Sequence, residues 1–164
     1  MNTGSTSRRV LVVVDRAILD IDAVPTSVLL AEERADEVFV VTPALTSRLG
    51  WLTDDDAGAL RDAEARLVAV LDRMREQGVH AAGTVGDASP LTAIHDALVD
   101  FPADEIIITI NDHDNAHWQE RGLAAKIRDR YRQPLTEVVV HPDRTTSTRR
   151  NKHPDPHVAR SRPA

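Results

Sequence analysis

The feature that most constrains the fold is a series of short apolar runs separated by longer, more polar segments. The first run, Val10 to Val14, contains no polar residue, whereas a strand with one face in water alternates apolar and polar side chains. Val38 to Val41 and Ile106 to Ile110 have the same character. Runs of this kind are typical of strands in a parallel sheet that is covered on both faces. The sequence therefore predicts a buried parallel sheet.

The segments between the runs predict four helices, and the best supported of them follows the second strand. Its apolar residues recur every three or four positions, and Gly78 can end it. The next helix is predicted to begin at Ser89 and Pro90, as its cap and first helical residue. The other two helices are predicted near Pro25 and over about residues 117–132.

Two weaker strands complete the series, one over Val79 to Val85 and one over Val138 to Val140. Because strands and helices alternate, each connection is expected to be a right-handed crossover that places helices on both faces. The prediction is an α/β fold with a Rossmann-like open parallel sheet of five strands, in the order 3-2-1-4-5. Residues 10–141 form this domain, and residues 1–9 are expected to be a flexible N-terminus.

Charge is distributed unevenly along the chain. Residues 142–164 carry six basic side chains and two aspartates, a net charge of +4, which leaves −10 on residues 1–141 out of a total of −6. This last segment is rich in Pro, Arg, Ser, Thr and His and is predicted to be a disordered basic tail. An acidic body repels polyanions, so nucleic acid is not an expected partner.

The compartment is indicated by what the sequence lacks. The chain has no cysteine, so disulfides, thiol catalysis and thiolate metal sites are excluded, and nothing indicates an oxidising compartment. The apolar run that follows the polar N-terminus is too short for a signal peptide or a membrane span. The sequence therefore predicts a soluble, cytoplasmic protein that does not bind membranes.

Polar residues follow several predicted strands, and ligands of open α/β sheets bind at these carboxyl ends. An alternative is that such residues serve ordinary turns, because Asp and Asn hydrogen-bond to nearby backbone and cap helices. The candidates for a binding crevice are Asp15, Arg16, Thr42, Gly86, Asp87, Asn111 and Asp112.

A metal site is a weaker hypothesis for the segment after the fourth strand. His113 and His117 are four residues apart, and Asp112 and Asp114 flank His113. The interpretation that we favour is that Asp114 or Asn115 caps the last helix while both histidines face solvent. No metal is therefore expected.

The sequence contains none of the common motifs for catalysis that involve nucleotides or a serine nucleophile. Residues 83–86 are not a dinucleotide fingerprint, and the chain has neither a Walker-type loop nor a G-x-S-x-G elbow. Ser, His and Asp are frequent, but their spacing does not indicate a nucleophile. An enzyme is therefore the less favoured interpretation.

Several stretches follow one another in a characteristic order. They are VLVVVD ending at Asp15, GDASPLTAIHDAL beginning at Gly86, and ADEIIITI followed by a helix and PLTEVVV. Together, and in this order, they resemble the universal stress protein family. The resemblance covers about residues 8–141 and implies the five-stranded fold. It also implies a homodimer through the last strand, formed by Val138, Val139 and Val140, because an uncovered edge strand can pair with a second copy.

One branch of that family binds ATP through a glycine pattern after the fourth strand, where freed backbone N–H groups hold the phosphates. This chain has INDHDNAHW there, and its next glycine is Gly122. The resemblance thus implies a diverged, stress-related member that acts as a non-enzymatic binding or regulatory module, without ATP or another cofactor. The alternative is adenosine, AMP or ATP in the crevice, with or without the help of a metal ion, because Asp15 matches the family's adenosine-contacting Asp.

Overall fold

The computed structural model describes residues 8–14, 35–45, 56–112, 122–141, 143 and 145–151. Within these ranges the chain forms six strands and three helices. In chain order they are β1 (Arg9–Val13), β2 (Glu37–Pro43), α1 (Asp56–Glu76), β3 (Ala82–Gly86), α2 (Pro90–Asp100), β4 (Glu105–Asn111), α3 (Leu123–Arg130), β5 (Leu135–Val140) and β6 (Thr146–Asn151). The helix predicted near Pro25 lies outside the described residues.

The strands form one sheet in the order β3-β2-β1-β4-β5-β6. The first five strands pair in parallel, in the predicted order 3-2-1-4-5. The sixth strand pairs antiparallel to β5, so the sheet is mixed and the predicted count of five is wrong. Among the described helices, none combines the length and the apolar composition that crossing a membrane requires.

Both ends of the predicted domain need correction. β1 begins at Arg9, inside the segment predicted to be flexible, and the Arg8 backbone N–H donates to Asp36 Oδ2 at 2.7 Å. Thr146–Asn151 forms β6 inside the predicted disordered tail. The tail prediction is wrong for these residues because a strand can be held by backbone bonds to its neighbour without burying apolar side chains. Residues 152–164 lie outside the described residues.

β6 also occupies the edge that the predicted homodimer requires. Its register runs from Val140 opposite Thr146 to Leu135 opposite Asn151, so it covers the whole length of β5. The backbone groups of Val138, Val139 and Val140 on that side are therefore satisfied within the chain. Direct pairing of this strand with a second copy is incompatible with the six-stranded sheet.

Two apolar layers hold the helices to the sheet. On one face the buried cluster includes strand valines and two residues of α1, namely Val10, Val12, Val40, Val70 and Met74. On the other face the cluster combines strand residues with α2 and α3, and includes Leu11, Val41, Ile94, Ile106, Ile108 and Ile127. Because the central strands are covered on both faces, the uninterrupted apolar runs of the sequence are explained.

Candidate functional site

The carboxyl edge of the sheet gathers the ends of the five parallel strands. The chain runs outward from β1 through β2 to β3, and then restarts on the other side of β1 with β4. β1 and β4 are direct neighbours, with Val13 opposite Ile108. Ligands of open α/β sheets bind where the strand order reverses in this way. Of the predicted residues at this point, Asp15 and Arg16 lie outside the described residues.

The hydroxyl of Thr42, at the end of β2, makes a hydrogen bond within the protein. The residue is fully buried, and its Oγ1 donates to the Ala63 carbonyl oxygen of α1 at 3.1 Å. Beside it, Arg66 is also buried, and its Nη1 donates to the Pro43 carbonyl oxygen at 3.1 Å. Both contacts fasten α1 to the end of β2, so Thr42 is a packing residue here.

Gly86 and Asp87, at the end of β3, serve the start of α2. A Cβ atom on Gly86 would lie 2.5 Å from Ala93 Cβ, so the glycine permits the close approach of α2. Asp87 Oδ1 accepts a hydrogen bond from the Ser89 backbone N–H at 2.8 Å. Ser89 caps α2, its Oγ accepting from the Thr92 N–H at 3.5 Å. These contacts agree with the alternative in which Gly86 and Asp87 serve an ordinary turn before a helix.

On the other side of β1, the structure joins Asp112 to two side chains from a later part of the sequence. Asp112 Oδ2 lies 3.0 Å from His141 Nδ1, and His141 Nε2 lies 2.9 Å from Ser147 Oγ. Asp112 follows β4, His141 follows β5, and Ser147 lies near the start of β6. Because β6 runs antiparallel, its start lies at the same edge as the ends of β4 and β5. We call Asp112, His141 and Ser147 the edge triad.

Backbone hydrogen bonds fix each member of the edge triad. The Asp112 N–H donates to the Val140 carbonyl oxygen at 2.9 Å, and the His141 N–H donates to the Thr145 carbonyl oxygen at 2.9 Å. Ser147 is held by the ladder between β5 and β6, opposite Val139. The relative positions of the three side chains are therefore set by strand register.

The turn between His141 and β6 is braced by Asp143. Its Oδ1 accepts from the Thr145 hydroxyl at 2.6 Å and from the Thr145 backbone N–H at 3.0 Å. These hydrogen bonds, with the hydroxyl contributing most, hold the pKa of the exposed Asp143 carboxyl below its ordinary value. The two hydrogen bonds hold the turn that leads from His141 into β6.

The protonation pattern of the edge triad follows from its acceptors. An ionised carboxylate can only accept hydrogen bonds, so Asp112 orients the ring with Nδ1 as its donor. In the neutral ring, Nε2 then carries the lone pair and accepts a hydrogen bond from the Ser147 hydroxyl. The side chains of Asp112 and His141 are 37% and 33% exposed, and Ser147 is exposed. The Ser147 hydroxyl, the last group of this hydrogen-bonded series, is therefore open to solvent.

The predicted residues thus divide between two regions. Thr42, Gly86 and Asp87 lie on the β2–β3 side, and Asp112 lies on the β4 side, three strand spacings of about 4.8 Å from the end of β3. Asn111 ends β4 opposite Val140, and its side chain lies outside the described residues. The structure therefore does not bring the seven residues into one cluster.

The hypothetical metal cluster is only partly described. His113, Asp114 and His117 lie outside the described residues, and the Asp112 carboxylate is hydrogen-bonded to His141. Within the described part of the chain, no group of three or more possible ligands could hold a metal ion. The hypothesis therefore gains no support from the residues that are described.

Sequence reasoning missed His141 and Ser147. Both were assigned to the end of the domain or to the tail, 29 and 35 residues from Asp112 in sequence. A usable signal was present, because an Asp-containing turn followed by the β-favouring residues Thr145, Thr146 and Thr148 is typical of a hairpin. Pairing that hairpin correctly would have placed Ser147 beside His141.

Comparisons with known proteins do not assign the chain to a family. No protein-family model matches the chain, and no curated protein sequence matches it. Functional proposals therefore rest on the geometry of the carboxyl edge and on the resemblance of the sequence.

Proposed function

We propose that this domain is a binding or regulatory module of the universal-stress type, which takes a small polar ligand other than ATP at the carboxyl edge between β1 and β4. The observation that supports this proposal is the reversal of strand order at β1 and β4, with Asp112 following directly after β4. The role in stress follows from the resemblance alone.

Electrostatics favours a ligand without a triphosphate. A phosphate about 4 Å from the Asp112 carboxylate would be repelled by about 1 kcal/mol in water and about 4 kcal/mol at an effective dielectric constant of 20. A carboxylate instead accepts hydrogen bonds from hydroxyl groups, such as the neighbouring 2′- and 3′-hydroxyls on the ribose of a nucleoside. Adenosine is therefore the first ligand to test.

The experiment is thermal and chemical unfolding of the full chain with adenosine, AMP or ATP, each with and without Mg²⁺ or Mn²⁺. Adenosine at 100 times its dissociation constant should raise the free energy of unfolding by about 2.7 kcal/mol. ATP without metal should give a much smaller increase. Stabilisation by metal-free ATP equal to that by adenosine, or no stabilisation by any of the three, would overturn the proposal.

A matched pair of variants locates the ligand. Asp112→Asn removes the carboxylate that follows β4, and should weaken adenosine binding while improving ATP binding. Asp87→Asn makes the same chemical change three strands away and should leave both affinities unchanged, since an amide oxygen can still accept from Ser89. Equal effects of the two variants would place the ligand elsewhere.

A further inference from the structure

We propose that the edge triad is an acyl-transfer site, in which Ser147 is the nucleophile, His141 the general base and Asp112 the residue that orients the base. The proposal goes beyond the binding role above and does not depend on it. Its substrate class is small, activated carboxylic esters. The expectation that no nucleophile is set up came from sequence spacing, whereas the triad is assembled by strand pairing.

The distances match the roles. A nucleophile and its base must be within hydrogen-bond reach, with the base oriented by a third group. Ser147 Oγ and His141 Nε2 are 2.9 Å apart, and His141 Nδ1 and Asp112 Oδ2 are 3.0 Å apart. The tautomer that Asp112 favours leaves the Nε2 lone pair directed at the serine hydroxyl. Because Ser147 is exposed, an ester carbonyl can reach it.

The register of β6 supplies a donor for the developing oxyanion. In an antiparallel pair, alternate residues direct their N–H groups toward the partner strand. Since the His141 N–H bonds to the Thr145 oxygen, the register directs the N–H groups of residues 147 and 149 toward β5, and the Thr148 N–H points away from it. In the described sheet β6 is the last strand, so this N–H faces its open side. The N–H that follows a nucleophile is a common oxyanion donor.

The reaction balances without a cofactor. Ser147 Oγ forms a bond to the ester carbonyl carbon as its proton passes to His141 Nε2, and Asp112 stabilises the resulting imidazolium. The bond between the carbonyl carbon and the alkoxy oxygen then breaks, and the alcohol leaves with the proton from Nε2. Water attacks the acyl-serine, giving its proton to Nε2, and the carboxylic acid is released as the serine recovers its proton.

Hydrolysis of p-nitrophenyl acetate by the full chain is the first test. The expected result is release of p-nitrophenol together with an acetyl group that peptide mapping by mass spectrometry places on Ser147. Ser147→Ala should abolish this adduct, and Asp112→Asn should slow its formation by roughly 100-fold. His95→Gln changes an exposed histidine on α2 and should leave the rate unchanged. A rate that Ser147→Ala does not reduce, or an adduct only on other residues, would overturn the proposal.

A second measurement separates a nucleophile from a serine that merely ties β6 to the sheet. The chain has no cysteine, so Ser147→Cys and Ser89→Cys each introduce a single thiol. A neighbouring imidazole favours the thiolate, so iodoacetamide should alkylate Cys in the Ser147→Cys variant at least about tenfold faster than in the Ser89→Cys variant. Adding His141→Gln should remove the difference, whereas equal rates in the two single variants would contradict the proposal.

The binding proposal is tested separately on the same proteins. Ser147→Ala retains Asp112 and should bind adenosine as the unaltered chain does. A loss of acylation with adenosine binding retained supports the acyl-transfer site. Absence of acylation in the unaltered chain overturns this site and leaves the binding proposal standing.

Discussion

The two sides of the carboxyl edge use polar residues in opposite ways. On the β2–β3 side, the Thr42 hydroxyl and the Asp87 carboxylate contact the protein's own backbone, at Ala63 and at Ser89. On the β4–β6 side, the edge triad connects side chain to side chain and ends at an exposed hydroxyl. A polar residue at a strand end is therefore a functional candidate only when its partners leave a reactive group accessible.

β6 makes the second side different, and it is held at two points. Near its start, Ser147 contacts His141, and near its end, Arg150 Nη2 donates to Glu105 Oε2 at 3.3 Å. Glu105 is buried, and it also pairs with Arg8 and accepts from the Thr136 hydroxyl at 3.0 Å. The contact between Arg150 and Glu105 stabilises β6, whereas the edge triad presents the exposed Ser147 hydroxyl.

The largest expected effect comes from filling the space above Gly86. Gly86→Val would place side-chain atoms against Ala93 and Val41, and should lower the free energy of unfolding by about 3 kcal/mol. Ala82→Val, at an exposed position of the same strand, should change it by less than about 0.5 kcal/mol. Urea unfolding measures both. A Gly86→Val protein as stable as the original would contradict a structural role for the β3 end.

The next effect tests the charged contact on the other side. Glu105→Gln removes the charge that Arg8 and Arg150 share, and should destabilise the protein by about 2 kcal/mol in urea unfolding. Amide hydrogen exchange in β6 should also become faster. The control is Glu37→Gln, whose exposed ion pair with Arg9 is worth less than about 1 kcal/mol. Equal losses in the two variants would show that burial of Glu105 is irrelevant.

A smaller loss is expected from the buried hydroxyl of β2. Thr42→Val keeps the side-chain shape but removes the donor to the Ala63 oxygen, which should cost about 1 kcal/mol of unfolding free energy. Thr84→Val, at an exposed site on β3, should cost almost nothing. Because Thr42 is assigned to packing, its variant should acylate Ser147 at the original rate. A slower acylation would contradict the distinction between packing residues on the β2–β3 side and the edge triad on the β4–β6 side.

The smallest effect is a pH dependence of the turn before β6. The pKa of Asp143 lies below its ordinary value of 3.8, so its carboxylate stabilises the folded turn at neutral pH. That contribution is complete above 3.8 and is lost as the pH falls below it, because protonation weakens the hydrogen bonds from Thr145. Exchange of the Thr145 amide should therefore accelerate at acid pH, and Asp143→Asn should reduce the dependence. An unchanged acid response in that variant would contradict the assignment.

The parallel part of the fold could be predicted because burial on two faces is visible in the sequence. Val10 to Val14 predicted β1 within one residue at each end, and Ser89 correctly marked the start of α2. The strand predicted over Val79 to Val85 begins only at Ala82. β6 could not be recognised by apolar periodicity, because Thr146–Asn151 contains no apolar residue and depends on backbone pairing and on Arg150.

The site was predictable only where it depends on position along one strand. Asp112 could be named as a candidate because it follows a buried strand, and the residues at the other strand ends could be named in the same way. Its role in binding a ligand stays a prediction. Its partner His141 is 29 residues away, and Ser147 joins them only through the register of an unpredicted strand. A contact that depends on pairing between strands cannot be predicted from the spacing of residues along the sequence.

The most direct test of the division between the two sides is nitrogen-15 NMR of the histidine rings. The geometry predicts that neutral His141 is protonated at Nδ1 and accepts at Nε2, and that Ser147→Ala shifts the Nε2 resonance. Exposed His95 on α2 serves as the reference ring. A His141 ring with the Nε2-protonated tautomer, or one that does not respond to Ser147→Ala, would contradict the edge triad and the functional distinction drawn from it.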